Sequence, residues 1–282
     1  MLPVLLDLKF LKIYTFGIFL VLAFFWGCYY LWKNISLTSY KEEDVFDGLF
    51  LSLTGGLFFS RLIYVVLNYD KFGFNLLKFI LINGYPGLSL FGFIGGGFLS
   101  LFIYFSLKKI KFLEIVDYFI GPLFLALTIG KLGGFLAGVE VGTKTKFILA
   151  VRYVGFDGLR HLTSLYEALL FLVAFFLARK FLLDLRREKL TKGFLFIFFV
   201  WTFSLLNFSF DKIKNNHLYF AKNSFNWYIY GILLLTFSLY FIYYFRTLFL
   251  ARLKRITNFF NLWQHKSIKH YPKNLKKDSK KS

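Results

Sequence analysis

The chain has 282 residues and a formal net charge of +20, and 57% of its residues are hydrophobic, against about 45–50% for a soluble protein. Its long apolar runs exclude a water-soluble globule, and because they are apolar on every face they also exclude the alternating strands of a membrane barrel. The basic residues lie between those runs and in the C-terminal tail with no nucleic-acid reader motif among them, so the anionic leaflet of a membrane is the expected partner and nucleic acid is not.

In chain order, hydropathy and turn signals predict about seven membrane spans, near 13–32, 47–67, 88–107, 113–137, 163–182, 194–210 and 225–246. Lys9 and Lys12 precede the first run, but no A-x-A cleavage pattern follows it, so the segment is expected to remain as a span. Cys28, the single cysteine, reads as a small hydrophobe without disulfide or metal chemistry. The second span carries Arg61 in SRLIYVVLNYD, and the third opens in NGYPGLSLFGFIGGG, where Gly92 and Gly96 stand four apart. KKIK leads to the fourth, which ends in TIGKLGGFLAGVEVGT. A polar connection holding Lys144, Arg152 and Arg160 then reaches RHLTSLYEAL, where His161, Tyr166 and Glu167 open the fifth span. RREKLTK and DKIKNNHLYFAKN complete the connections. The reading is an all-α polytopic membrane domain over 1–250 and a basic tail over 251–282, expected to be cytoplasmic and disordered. The short loops KKIK and RREKLTK fall on the tail's side, which sets the orientation as N-out and C-in.

Gly130, Gly134, Gly138 and Gly142 also fall four apart, the spacing of a close-packing ridge on a membrane helix. Glycines do not account for Lys131 or Glu140, because a charge inside a span costs about 2.5–3.5 kcal/mol and marks function by default. At about 100° per residue the two lie on opposite faces of a regular helix. Either Gly133 and Gly134 break the helix and place Glu140 in a loop, or each charge meets a partner from another span. Arg61 is read as a cation facing a lipid-depth cavity, with snorkelling from the helix end as its alternative. Glu167 is either a capping carboxylate beside Thr163 and Ser164 or a site residue.

Taken together, SRLIYVVLNYD, YPGLSLFGFIGGG, TIGKLGGFLAGVEVG and RHLTSLYEAL resemble, in order and spacing, four segments of the prolipoprotein diacylglyceryl transferase family, over about Phe16 to Arg246. The resemblance implies seven spans with an outward N-terminus in the bacterial cytoplasmic (inner) membrane. It also implies transfer of the diacylglyceryl group of phosphatidylglycerol to the lipobox cysteine of a preprolipoprotein, releasing glycerol phosphate. No cofactor or metal is expected. On this reading Arg61, Lys131, Arg152 and Arg160 meet the lipid phosphate, while Lys131, Glu167 and Glu140 serve the chemistry. Tyr166 and His161 support them, and Gly92, Gly96, Gly130, Gly133, Gly134 and Gly142 allow close backbone approach.

The same comparison marks departures. Lys131 stands at the signature's arginine, Gly134 and Ala137 at its asparagines, and Val139 at its glutamate, with Glu140 one residue later. Phe91 stands at the motif histidine, Phe16 at the tyrosine of the first span, and Ser204 to Phe208 (SLLNF) where the family carries R-x-x-x-E. These replacements leave a second expectation, a lipid- or lipoprotein-binding membrane protein without catalysis on the same scaffold. A secondary transporter is disfavoured, since the chain has no internal repeat.

Overall fold

The computed structural model describes residues 3–8, 11–82, 84–215, 219–220 and 223–246. The basic tail expected at 251–282 lies outside the described residues. Strands β1 (Val4–Leu8) and β2 (Leu11–Tyr14) form an antiparallel hairpin that leads into helix α1 (Thr15–Ile35). Helix α2 (Glu42–Leu67) follows, then two short turns of helix, α3 (Tyr69–Phe72) and α4 (Leu76–Ile80), and the long helices α5 (Leu90–Leu107) and α6 (Phe112–Ala137). A second hairpin, β3 (Ala150–Arg152) with β4 (Leu159–His161), precedes α7 (Thr163–Arg186) and α8 (Phe194–Phe210). After a 3-10 turn at Asp211–Ile213, strands β5 (Tyr219–Phe220) and β6 (Asn223–Ser224) lead into the last helix, α9 (Phe225–Arg246).

Among the described residues, six helices are long and apolar enough to cross a membrane: α1, α2, α5, α6, α8 with its 3-10 turn, and α9. They match six of the about seven expected spans. The fifth predicted span does form a helix, α7, of 24 residues, but Glu167, Arg179, Lys180 and Asp184 interrupt its apolar surface, so composition alone does not make it a span. The predicted helical character of these spans holds, and among the described residues three two-stranded hairpins lie outside them, one before α1 and two in connections.

Local chemistry sets several helix ends. Glu42, Glu43 and Asp44 fill the first turn of α2, where acids offset the helix dipole. The Ser89 side chain accepts from the Gly92 N–H and caps α5. The N-terminus of α8 is capped from another helix: Asp117 of α6, fully buried, accepts from the Gly193 N–H at 2.6 Å and the Phe196 N–H at 3.0 Å.

Helix α2 packs mainly on α5, α1 on α6, and α6 on α7. The α2–α5 seam is built on small residues. A Cβ at Gly56 would lie 2.9 Å from the Phe93 carbonyl oxygen, and one at Gly92 would lie 2.7 Å from that of Phe59. Lipid-facing helices gain little from apolar burial against one another, so such close backbone approach supplies the dispersion contact that holds the pair. Phe124, Phe171, Phe198, Phe199 and Phe203 pack ring against ring and join α6, α7 and α8. Leu31, Ile35, Val45, Leu101, Phe105, Ile115, Val116 and Phe119 form a second apolar cluster from α1, α2, α5 and α6.

The chain divides into two units, residues 1–232 and 233–282, with the boundary inside α9. The described part of the second unit is helical, with Tyr240 stacked on Tyr244 and Phe241 on Phe245.

Candidate functional site

Helix α6 ends at Ala137 because Gly138 adopts the left-handed conformation, with φ +70°. The Val139 N–H then donates to the Gly134 carbonyl at 3.0 Å and the Gly138 N–H to that of Phe135 at 3.2 Å. This paired pattern is a Schellman stop, which glycine permits at no steric cost. The chain turns back, and Glu140 accepts from the Lys131 ammonium through both carboxylate oxygens, each at 2.7 Å. The helix break that allows the pair lies at Gly138, whereas Gly133 and Gly134 remain helical. The expected ridge is corrected with it: Gly138 and Gly142 lie beyond the helix, and a Cβ at Gly130 would meet nothing within 4 Å. Gly133 is instead the tight position, packed on the Phe19 side chain.

Beyond Glu140 the backbone forms a short strap. The Thr143 N–H donates to the Ile213 carbonyl at 2.8 Å, and Gly142 bridges Lys214. On its other side the His161 N–H donates to the Thr143 carbonyl at 3.1 Å and the Thr145 N–H to that of Leu159 at 2.9 Å. A side chain at Gly142 would strike the His161 carbonyl oxygen at 2.5 Å, so glycine is required for this strap to lie against β4. The strap delivers Lys214 to Glu167, and the two form an ion pair. Lys214 also donates to Asn207 Oδ1 at 3.3 Å. Glu167 is fully buried one turn into α7, and its other oxygen lies 2.7 Å from the Lys131 ammonium.

The result is a row of alternating charge: Lys214, Glu167, Lys131, Glu140. Ser164 closes it by donating to Glu140 at 3.2 Å. A lone buried charge is expensive, and one is tolerated only when paired and hydrogen-bonded. Here two ammonium groups and two carboxylates cancel. The side chain of Glu140 is 41% exposed, against 9% for Lys131 and 1% for Glu167. Burial opposes ionisation of Glu140, but the Lys131 and Lys214 charges and the bonds from Lys131 and Ser164 outweigh it and hold the carboxyl down at about 2. It is therefore a poor proton acceptor while paired.

The other expected site residues have different surroundings. Arg61, 3% exposed, donates to the carbonyls of Phe79 at 2.9 Å, Lys78 at 2.7 Å and Gly87 at 2.9 Å, and its guanidinium lies over the Phe72 ring. It clamps the connection between α2 and α5. Arg160 donates to the Gly142 carbonyl at 3.1 Å and lies over Phe156, while Arg152 is exposed on β3. Among the described residues, no ion pair joins either arginine to the charged row. Tyr166 donates to the Leu149 carbonyl at 2.6 Å and stands edge-on to His161, so both support the hairpin above α7. Gly134 faces Phe16 and Ser164, each 3.9 Å from where its Cβ would be. Phe91 packs on Tyr230, which in turn meets Phe203.

Lys214, Asn207 and Ser164 are the members of the site that sequence reasoning missed. Lys214 reads as one more loop cation in DKIKNNHLYFAKN, and no local pattern distinguishes it from Lys212. Arranged as they are, these groups can hold an anion on an ammonium, accept a proton on a carboxylate, and exchange one partner for the other.

A family model described as prolipoprotein diacylglyceryl transferase matches residues 3–244. Among curated relatives, a phosphatidylglycerol–prolipoprotein diacylglyceryl transferase of Clostridioides difficile (strain 630) is 27% identical over 209 residues, covering 74% of this chain and 81% of its own. One of the same name from Clostridium tetani (strain Massachusetts / E88) is 30% identical over 181 residues, covering 62% of this chain and 72% of its own. A third, from Finegoldia magna, is 26% identical over 211 residues, with coverages of 74% and 82%.

Proposed function

The chain belongs to the prolipoprotein diacylglyceryl transferase family, and on that premise we propose that it transfers a diacylglyceryl group from phosphatidylglycerol to the lipobox cysteine thiol of a preprolipoprotein. It is a multi-pass membrane protein, and the proposed location is the bacterial cytoplasmic membrane, with the N-terminus out and the C-terminus in. The observation that carries the reading is the charged row at the end of α6, in which the signature lysine meets Glu140 and Glu167 at 2.7 Å.

In the proposed reaction the thiol loses its proton to a carboxylate, for which the more exposed Glu140 is suited once it is parted from Lys131. The sulfur attacks the glyceryl carbon that bears the phosphate ester, a C–S bond forms, and the C–O bond breaks. The electron pair leaves on the phosphate oxygen, giving glycerol phosphate. Lys131 supplies the positive charge that stabilises this leaving group. An ammonium meets a phosphate as a point charge and lacks the two-pronged fit of a guanidinium, so the family's arginine and this lysine hold the group differently. Glu167, between two ammonium groups, keeps Lys131 aimed.

A second reading, a lipid- or lipoprotein-binding scaffold without turnover, draws on one observation: both ammonium groups of the row are already paired with carboxylates. Purified protein in phosphatidylglycerol bilayers with a lipobox peptide separates the two. The transferase reading expects a thioether product and an equal amount of glycerol phosphate. Absence of product across several anionic lipids, with lipid binding retained, leaves the scaffold.

A further inference from the structure

Glu167 has no room for solvent, and its two oxygens are taken by ammonium groups from different parts of the chain, Lys131 on α6 and Lys214 after α8. The two cations therefore flank a single carboxylate. Lys214 is not there by chance of side-chain reach. Its backbone bridges Gly142, two residues beyond Glu140, and its ammonium is steadied by Asn207 Oδ1 at 3.3 Å, while Asn207 donates to the Phe203 carbonyl at 2.9 Å. Glu140 differs from Glu167 in every respect that governs release. It lies beyond the helix, its side chain is 41% exposed, and among the described residues Lys131 is the one cation it pairs with, Ser164 adding a hydrogen bond at 3.2 Å.

We infer that Lys131 and Lys214 form a two-cation clamp for the phosphodiester of an anionic lipid, and that Glu140 is the carboxylate which the phosphate displaces from Lys131. This rests on the transferase reading only in taking the ligand to be a lipid. A phosphodiester offers two non-bridging oxygens and one negative charge, so it replaces Glu140 at Lys131 and reaches Lys214 with its second oxygen. Glu167 stays between the two cations and fixes their spacing. The exchange leaves the charge around the ammonium groups balanced and sets Glu140 free of its counter-ion, which restores its ability to take a proton. Lipid binding would thus arm the carboxylate that the thiol needs. Lys214 supplies positive charge in a chain whose SLLNF segment has none.

The test is binding of dioctanoyl phosphatidylglycerol to the full chain in detergent, with dioctanoylglycerol and inorganic phosphate as the other arms and thioether formation followed in parallel. Wild type is expected to prefer phosphatidylglycerol over dioctanoylglycerol. Lys214→Met should weaken phosphatidylglycerol binding at least tenfold without changing that of dioctanoylglycerol, and Lys214→Arg should restore it. Glu140→Gln should tighten phosphatidylglycerol binding, since it removes the competing charge, and should lower turnover. This second variant keeps the test open if Lys214→Met does not fold. The clamp is overturned if folded Lys214→Met binds phosphatidylglycerol as wild type does, if Glu140→Gln weakens binding, or if inorganic phosphate binds as well as the lipid. Wild type that forms thioether while Lys214→Met binds normally keeps the transferase and loses the clamp. Wild type that forms none while both variants shift binding as expected keeps the clamp and loses the transferase.

Discussion

Lys131 donates to Glu140 and forms an ion pair with Glu167, each at 2.7 Å, and a point charge of this kind is only as useful as its position. Removing it strips the row of its centre and leaves two carboxylates facing one another. Lys131→Ala is expected to lower thioether formation by about 10²–10³-fold, while Lys131→Arg, which keeps the charge and adds a fork, should preserve or raise it; turnover measured on both variants checks this. Glu140 gives a pH signature. Its folded value of about 2 lies below the ordinary 4.5, so its stabilising contribution is complete above 4.5 and fades as pH falls towards about 2. The difference in thermal stability between wild type and Glu140→Gln should hold constant near neutral pH and close across that acid window. Lys131 and Glu140 stood out in the sequence as candidate site residues because charges inside apolar sequence are costly. Their pairing did not, because the 100° rule applies only while the chain is helical, and it stops being so at Gly138.

Among the elements, the end of α6 and the connection between α2 and α5 are each set by one residue. Gly138→Ala places a Cβ on a left-handed residue and is expected to cost about 1–2 kcal/mol, seen as a lower melting temperature, with turnover falling further because Glu140 moves off Lys131. Arg61 holds three carbonyls of the connection. Hydrogen bonds from a charged donor are worth about 1.5–3 kcal/mol each, so Arg61→Ala should lower stability by about 3 kcal/mol in detergent unfolding and open residues 73–82 to protease. Apolar runs bounded by charge and turn signals located the long helices among the described residues. The strap from Gly142 to Thr145 escaped them, because its backbone partners are Ile213, Lys214, Leu159 and His161, and pairing with distant segments leaves no periodic trace in so short a stretch.

For the whole molecule, topology turns on α7, whose 24 residues suffice to span but carry charge. If α7 crosses, the chain makes seven passes and its ends lie on opposite sides. A reporter fused after the tail should then be active only in the cytoplasm, and one fused before β1 only outside; both on one side would mean that α7 does not cross. Composition and hydropathy alone determined that this is a helical membrane protein, because a backbone in hydrocarbon must satisfy its own hydrogen bonds and a run of apolar residues carries that requirement locally. The order of four short segments likewise marked the family. Only the tertiary structure decided which charges meet. Lys214 reaches Glu167 across α8, and Glu140 returns to Lys131 around a glycine stop, so the site depends on where separate segments are pinned together. Buried charges must be neutralised by whatever the fold brings near, and nearness in space between segments far apart in the chain is not written in the residues around either one.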